Sequence, residues 1–419
     1  MNNSKTVVIE SDTGRIWTRN QLLEQADALR SPALKGCLVA FCQPNCAEWF
    51  VHFLAIQQSG GAAVPLDSSL SADAQVQTAR RIGAHYLWSA FGVQKLTTRR
   101  YSVRNVWCVK ITSGSMGDIK AVPCSAARMK GDGEQIIRTM GIRPVDRNLA
   151  LIPLGHSYGL GNLVMPLLLQ GTAVVCAQTF VPREILQLII QHQVTVFPAV
   201  PAILRALAQL EGVRKPPSLR LVISAGAPLS ADVARQFHRR YGIKIHNFYG
   251  SSETGGICYD RTGNAALSGR SVGKPLQGVI VRLRRDGRIR VSSRAGNATL
   301  PDLGEWNRYG ELRLVGRIAE MANIGGNKVA PMEVESALRG LRGIDDAWVT
   351  VLKDKNGRDH LAAAVETDRK RTGIERELMG TLPAWKLPKI WLIATTLPRT
   401  NRGKLHTVAL KVRLMASLP

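Results

Sequence analysis

Between residues 37 and 250 the chain alternates short β-prone apolar runs with amphipathic stretches, and no other feature limits its fold so strongly. Strands that are apolar on both faces must be covered on both faces, and parallel strands joined by crossover helices meet that requirement. LVAFC, AAVPLD, HYLWSA, LALIPL, TAVVCAQ, VTVFPAV, LRLVISA and IKIHNFYG read as strands. Segments 47–58, 72–82, 183–191 and 231–241 read as helices between them. The pattern predicts a large layered α/β body. Beyond Gly269 the texture changes to VIVRLRRDG and RIRVSS, which predicts a small antiparallel, barrel-like region. After Gly316-Arg317 come a glycine-rich turn (NIGGNK), a helix over 331–339, a strand pair at AWVTVLK and LAAAVE, a helix near 374–380 and a basic end. The predicted division is an N-terminal domain of residues 1–317 and a small α+β C-terminal domain of 318–419.

At 419 residues, 45% of them hydrophobic, the chain has material for more than one core. The seven cysteines are odd in number and sit inside apolar runs such as GCLVAFC, so buried thiols are expected rather than disulfides; Cys37, Cys42 and Cys46 lack the spacing of a metal site. No long apolar run or signal-like start is present, and the expectation is a cytoplasmic protein without a membrane partner. The formal charge of +25 favours anionic partners. Because the basic residues are dispersed, with no aromatic-basic repeat, nucleic acid is not expected; nucleotides, the phosphates of coenzyme A or an acidic carrier protein suit the charge better.

Two polar clusters interrupt the apolar pattern. In ITSGSMGDIKAVPCS, residues 111–125, the hydroxyls of Thr112, Ser113 and Ser115, the flexible backbone at Gly114 and Gly117, and the ammonium of Lys120 suit a phosphate cradle. The spacing matches neither the common nucleoside-triphosphatase loop nor a dinucleotide fingerprint. The second cluster, HNFYGSSETGG, follows the strand IKIH, at the end of a strand where open α/β sheets bind ligands. Glu253 offers a carboxylate to a divalent cation, Ser251 and Ser252 offer hydroxyls to phosphate, and Tyr249 offers a flat face to a base. A plainer alternative makes Ser252 a helix N-cap with Glu253 favouring the helix dipole.

TSGSMGDIK resembles the TSGTTGxPK loop of the AMP-forming adenylating enzymes, the superfamily of acyl-CoA and aryl-CoA synthetases, adenylation domains and luciferases. YGSSETG is similar to its YGxTE motif, PLGHSYGL to PLFHxxG, VISAGAPLS to the SGGAPL adenine turn, and LPDLGEWNRYGELRLVGR to TGDLGxxxxxGxLxxxGR. GGNKVAPMEVE and LPRTNRGKL resemble later blocks in the same order. The resemblance implies ATP, Mg2+ and coenzyme A as cofactors and a carboxylic acid as substrate. It implies that Thr112, Ser113, Gly114, Ser115, Gly117 and Lys120 hold the triphosphate. Gly226, Ala227, Pro228 and Tyr249 would hold adenine, with Asn247, Gly250 and Ser251 in the nucleotide site. Ser252 would contact the α-phosphate, Glu253 would ligate magnesium, Asp302 the ribose with Arg317 beside it, and His156 the acid. Lys404 would bridge carboxylate and phosphate from a C-terminal domain that rotates between half-reactions.

Departures from the pattern are Met116 for threonine and Ile119 for proline in the loop, Ala319 at the expected hinge aspartate or lysine, and Asn323 for lysine. They leave three readings beside acyl- or aryl-CoA synthesis: loading of an acyl or peptidyl carrier protein, a half-active nucleotide-binding relative, and a serine hydrolase. The last rests on Gly155-His156-Ser157-Tyr158-Gly159, a Gly-x-Ser-x-Gly match after a strand, with Ser157 as nucleophile. It leaves TSGSMGDIK, YGSSETG and LPRTNRGK unexplained. The segments matching the acid pocket, 197–204 among them, carry small residues and no evident basic anchor, so an apolar or aromatic monocarboxylic acid is expected rather than an amino acid.

Overall fold

The apolar runs divide between two sheets. The computed structural model describes residues 4–90, 92–97, 103–113, 119–318, 321–324, 327–355, 357–400 and 405–417. One sheet has six strands in the order Gly92–Lys95, Tyr86–Ser89, Leu38–Phe41, Ala62–Pro65, Cys108–Ser113, Ile119–Cys124, parallel at its centre and closed by a hairpin at each edge. The other has nine, and six of its strands run parallel: Ile245–Ser251, Leu221–Ser224, Val196–Ala199, Arg147–Ala150, Ala173–Cys176 and Thr6–Glu10.

The helix Ala47–Gln58 joins the two sheets. Its buried residues pack with Phe41 and Ala63 of the first sheet and Val8, Ala150 and Val174 of the second. Trp49 stacks on Phe53 at 5.2 Å and meets Phe50 edge-on at 5.3 Å. Removing such an aromatic leaves a void that the surroundings cannot fill, so Trp49→Ala costs about 3–5 kcal/mol. Its first turn is capped from outside, because the Ala47 N–H donates to the Glu10 carboxylate at 3.0 Å.

The predicted change after Gly269 appears as a four-stranded antiparallel sheet, Ile280–Leu283, Arg288–Ser293, Gly296–Trp306 and Leu312–Arg317. Beyond it lie a hairpin, Ala322–Ile324 with Asn327–Val329, and the three-stranded sheet Asp346–Lys353, Asp359–Glu366, Ile390–Ala394. The helices Pro331–Gly340 and Arg371–Met379 contribute Val334, Leu338, Ile374 and Leu378 to one core on this sheet. Thr407–Met415 contributes Leu410 and Leu414 to a second core. Arg205, on the helix Pro201–Ala208, crosses to Asp346 of this sheet at 3.3 Å. Among the described residues no helix is long and apolar enough to cross a membrane.

Candidate active site

Strand ends deliver the site. The carboxyl ends of Arg147–Ala150, Leu221–Ser224 and Ile245–Ser251 release the segment leading to Ser157, the loop Ala225 to Pro228, and the turn after Ser251. Parallel strands align their ends on one edge, so residues far apart in sequence arrive together. The strand Ile245–Ser251 feeds no helix. It returns antiparallel as Gly255–Tyr259, with Ser251 paired to Gly255, so the helix-cap alternative for Ser252 is overturned. Gly255 makes this reversal possible: its φ is +69°, and a Cβ there would collide with the Asp132 carboxylate.

Around this edge the named residues fall into three groups. In the first, the Tyr249 hydroxyl donates to Asp302 Oδ2 at 2.7 Å and Arg317 Nε donates to Asp302 Oδ1 at 2.7 Å. Asp302 and Arg317 are register partners on adjacent strands, which fixes their meeting. Burial, and then the Asp302 charge, push the Tyr249 phenol far above its usual range, so it stays a donor. Gly226, Ala227 and Pro228 are exposed nearby on their loop, and Gly250 is exposed at the end of its strand. Asn247 instead donates its side-chain amide to the Ser271 carbonyl at 3.0 Å, and Ser251 Oγ meets Thr254 Oγ1 at 3.0 Å; both side chains serve the local backbone frame.

The second group is ionic. Lys120 pairs with Glu253. Burial raises the Glu253 carboxyl, but hydrogen bonds from Lys120 and the neighbouring turn outweigh it and hold the group below the usual carboxylate range. Thr112 is the register partner of Lys120 in the hairpin Cys108–Ser113 with Ile119–Cys124, which places the ends of the phosphate-loop segment together. Gly114, Ser115, Met116 and Gly117, like Ala319 and Lys404, lie outside the described residues.

The third group lines a cavity of about 230 Å³. His156 and Ser157 lie on its wall with Ser252, above Ile136, Ile203 and Phe248. Ser157 Oγ and Ser252 Oγ are 2.6 Å apart. No histidine among the described residues hydrogen-bonds Ser157, so the nucleophile-elbow reading lacks its base.

Sequence reasoning missed Arg128, Asp132 and Lys110. Arg128 and Asp132 lie one turn apart on the helix Ala126–Met140 and grip both ends of the Glu253 turn. Arg128 Nη2 donates to the Glu253 carbonyl at 2.6 Å, and the Gly256 N–H donates to Asp132 Oδ1 at 2.9 Å. Asp132 lines the cavity, and Lys110 lies behind it, Nζ to Oδ2 3.8 Å, with both side chains only 3% exposed. No basic anchor was expected in the segments matching the acid pocket, and the charge in the cavity wall is instead a carboxylate, supplied by the helix Ala126–Met140. Its signal was present as a charge on the apolar stripe Met129, Asp132, Ile136, Met140.

Residues 98–296 match the family model of the AMP-binding enzymes. Benzoate–CoA ligase of Thauera aromatica is 29% identical over 314 residues, 65% of this chain and 59% of that enzyme. Long-chain-fatty-acid–CoA ligase FadD13 of Mycobacterium tuberculosis is 24% identical over 464 aligned positions, 94% of this chain and 92% of that one. The chain belongs to the AMP-forming adenylating enzymes. Solved members share the fold: ATP-bound MatB from Rhodopseudomonas palustris superposes with a TM-score of 0.84 at 20% identity, covering 98% of this chain and 96% of MatB. The anthranilate CoA ligase AuaEII in complex with anthranoyl-AMP gives 0.84 at 21% identity, covering 99% and 96%.

Proposed function

We propose that this chain activates a carboxylic acid with ATP, forming acyl-AMP and pyrophosphate, and then transfers the acyl group to the thiol of coenzyme A. The observation that carries the reading is Ser252 on the wall of a largely apolar cavity, followed at once in the chain by Glu253 paired with Lys120, with the Tyr249–Asp302–Arg317 chain on the same sheet edge. A carboxylate attacking an α-phosphate meets like-charge repulsion, and cations and hydroxyl donors fixed beside that phosphate lower the barrier. In this reading Asp302 and Arg317 hold the ribose, and Tyr249 with Gly226, Ala227 and Pro228 encloses adenine. Thr112, Ser113, Gly114, Ser115, Gly117 and Lys120 hold the triphosphate, and His156 faces the acid. Lys404 completes the charge pairing from the C-terminal domain, residues 318–419, which turns against residues 1–317 between steps.

Magnesium is part of the proposal. Among the described residues no group of three or more His, Cys, Asp or Glu could hold a metal alone. The single half-buried Glu253 carboxylate, kept ionised, fits a cation that takes most of its ligands from phosphate and water. Mg2+ would neutralise charge on the departing pyrophosphate. The alternative acceptor is the phosphopantetheine thiol of an acidic carrier protein, which the +25 charge also suits.

Exchange of labelled pyrophosphate into ATP, driven by a panel of acids, tests the first step. Exchange is expected with at least one apolar acid and should fall sharply in Lys404→Ala. No exchange with any acid would sink the reading. Formation of acyl-AMP that acylates a carrier protein and never coenzyme A would replace the acceptor.

A further inference from the structure

The buried carboxylate in the cavity wall is only half satisfied. Asp132 Oδ1 accepts from the Gly256 N–H at 2.9 Å, whereas among the described residues Oδ2 has only the Lys110 ammonium, 3.8 Å away and beyond hydrogen-bond reach. Leaving a lone pair of a buried carboxylate unbonded is costly, and sites that carry one are built to receive a donor. Burial raises the Asp132 carboxyl above the usual carboxylate range, and the Lys110 charge and the Gly256 N–H oppose that rise; facing the Lys110 ammonium, Asp132 is placed to accept a donor at Oδ2.

The position of Asp132 says which part of a ligand meets it. The cavity lining grades from exposed Gly226 and half-buried Ser252 to fully buried Ile136, Gly256 and Asp132. The acid's carboxylate has to lie at the nucleotide end, beside Ser252. Its far end therefore points inward, among Ile136, Phe248 and Asp132. We infer that Asp132 is a specificity-determining residue that selects an apolar or aryl monocarboxylic acid bearing a hydroxyl or amino donor at the end remote from its carboxylate. The same charge repels a second carboxylate, so dicarboxylic acids are excluded. This inference rests on the adenylation reading and adds the substrate class to it.

The experiment measures pyrophosphate exchange with matched pairs of acids, 3- and 4-hydroxy- or amino-benzoates and hydroxycinnamates against their methyl counterparts, with terephthalate as the dicarboxylate. The wild-type protein should favour the best donor-bearing acid over its methyl isostere by about tenfold or more in kcat/KM, because the methyl compound leaves Oδ2 buried and unpaired. The paired variant Lys110→Met with Asp132→Leu removes both charges together, a change that buried ion pairs often tolerate. In it the preference should collapse or invert. Asp132→Asn keeps an acceptor for Gly256 and serves if the pair fails to fold; it should weaken the preference at least about threefold through loss of charge.

Several results would overturn the inference. Equal rates for hydroxyl and methyl acids in the wild-type protein would mean that water serves Oδ2. A preference retained in a folded variant would place the reader elsewhere, and efficient use of terephthalate would contradict the repulsion. Exchange with no acid at all would remove the adenylation reading and this inference with it, whereas exchange without preference removes the inference alone.

Discussion

The contact between Arg205 and Asp346 ties the helix beside the acid cavity to the C-terminal sheet, and its energetics can be worked from the structure. Asp346 Oδ2 lies 3.3 Å from Arg205 Nη1 and 3.1 Å from Arg399 Nη2, and Oδ1 lies 3.1 Å from Arg339 Nε. The Asp346 side chain is 10% exposed and that of Arg205 13%. Arg339 also reaches Glu335 at 2.6 Å and Arg399 reaches Glu366 at 2.8 Å, so each keeps an anion if Asp346 is neutralised. Arg205 pairs with Asp346, and its own Nε is buried without a partner. Asp346→Asn therefore strands one nearly buried guanidinium and should cost about 3 kcal/mol, the low end for a broken buried pair because the amide oxygen still accepts. Arg205→Met relieves the orphaned Nε while losing one charged hydrogen bond and should cost no more than about 1 kcal/mol. In Arg205→Met with Asp346→Asn the stranded cation is absent, so the double variant should recover about 1–2 kcal/mol relative to the sum of the singles. Guanidinium chloride denaturation followed by tryptophan fluorescence reads all four proteins. Strict additivity, or a cost below about 1 kcal/mol for Asp346→Asn, would refute the view that one carboxylate neutralises this junction.

Three further outcomes are expected. Lys120→Met removes the partner that opposes burial at Glu253; the acid limb of the pH–rate profile should move to higher pH, and exchange should fall about a hundredfold, the usual effect of losing one donor to transition-state charge. Burial holds His52, stacked on Trp88 at 4.3 Å, down to about 4. The unfolded chain protonates first as pH drops below the ordinary histidine value, so stability should fall by up to about 3 kcal/mol between pH ~6.5 and ~4, and His52→Phe should flatten that part of a pH–stability curve. Gly255→Ala should abolish soluble expression or exchange, because its Cβ meets the Asp132 carboxylate. Gly310→Ala, at the same φ of +69° with open space around it, should cost only about 1–2 kcal/mol in denaturation.

Strand and helix positions were legible because period and punctuation are local. The helices at 47–58 and 231–241 fall where the apolar spacing puts them, and the strands shorten only at their ends, where pairing stops. LALIPL was read as one strand, but the strand ends at Ala150, since the next residues leave the sheet to line the cavity. The helix-cap alternative at Ser252 arose because Ser-Glu-Thr before a glycine pair has the composition of a helix start, and the strand pairing rules it out. The reversal is held by contacts distant in sequence, Arg128 on the Glu253 carbonyl and Asp132 on the Gly256 N–H, 125 and 124 positions away.

What the sequence by itself determined is the type of fold, the order of its motifs and the strand ends that carry them, with Lys120, Ser252 and Glu253 marked by their polar clusters and Asp302 and Arg317 only by the resemblance to the family. Strands, turns and polar clusters each depend on a short window, in which composition and spacing already express the physical demand. The tertiary structure alone decided which charges meet. Tyr249 reaches Asp302 across 53 positions, Lys120 reaches Glu253 across 133, and Arg128 reaches the Glu253 carbonyl across 125. Such pairings follow from sheet order and strand register, quantities that no local window contains. The half-satisfied Asp132 is the clearest case: its sequence shows a charge on an apolar helix face, and only packing against Gly255 and Gly256 turns that charge into part of a cavity wall.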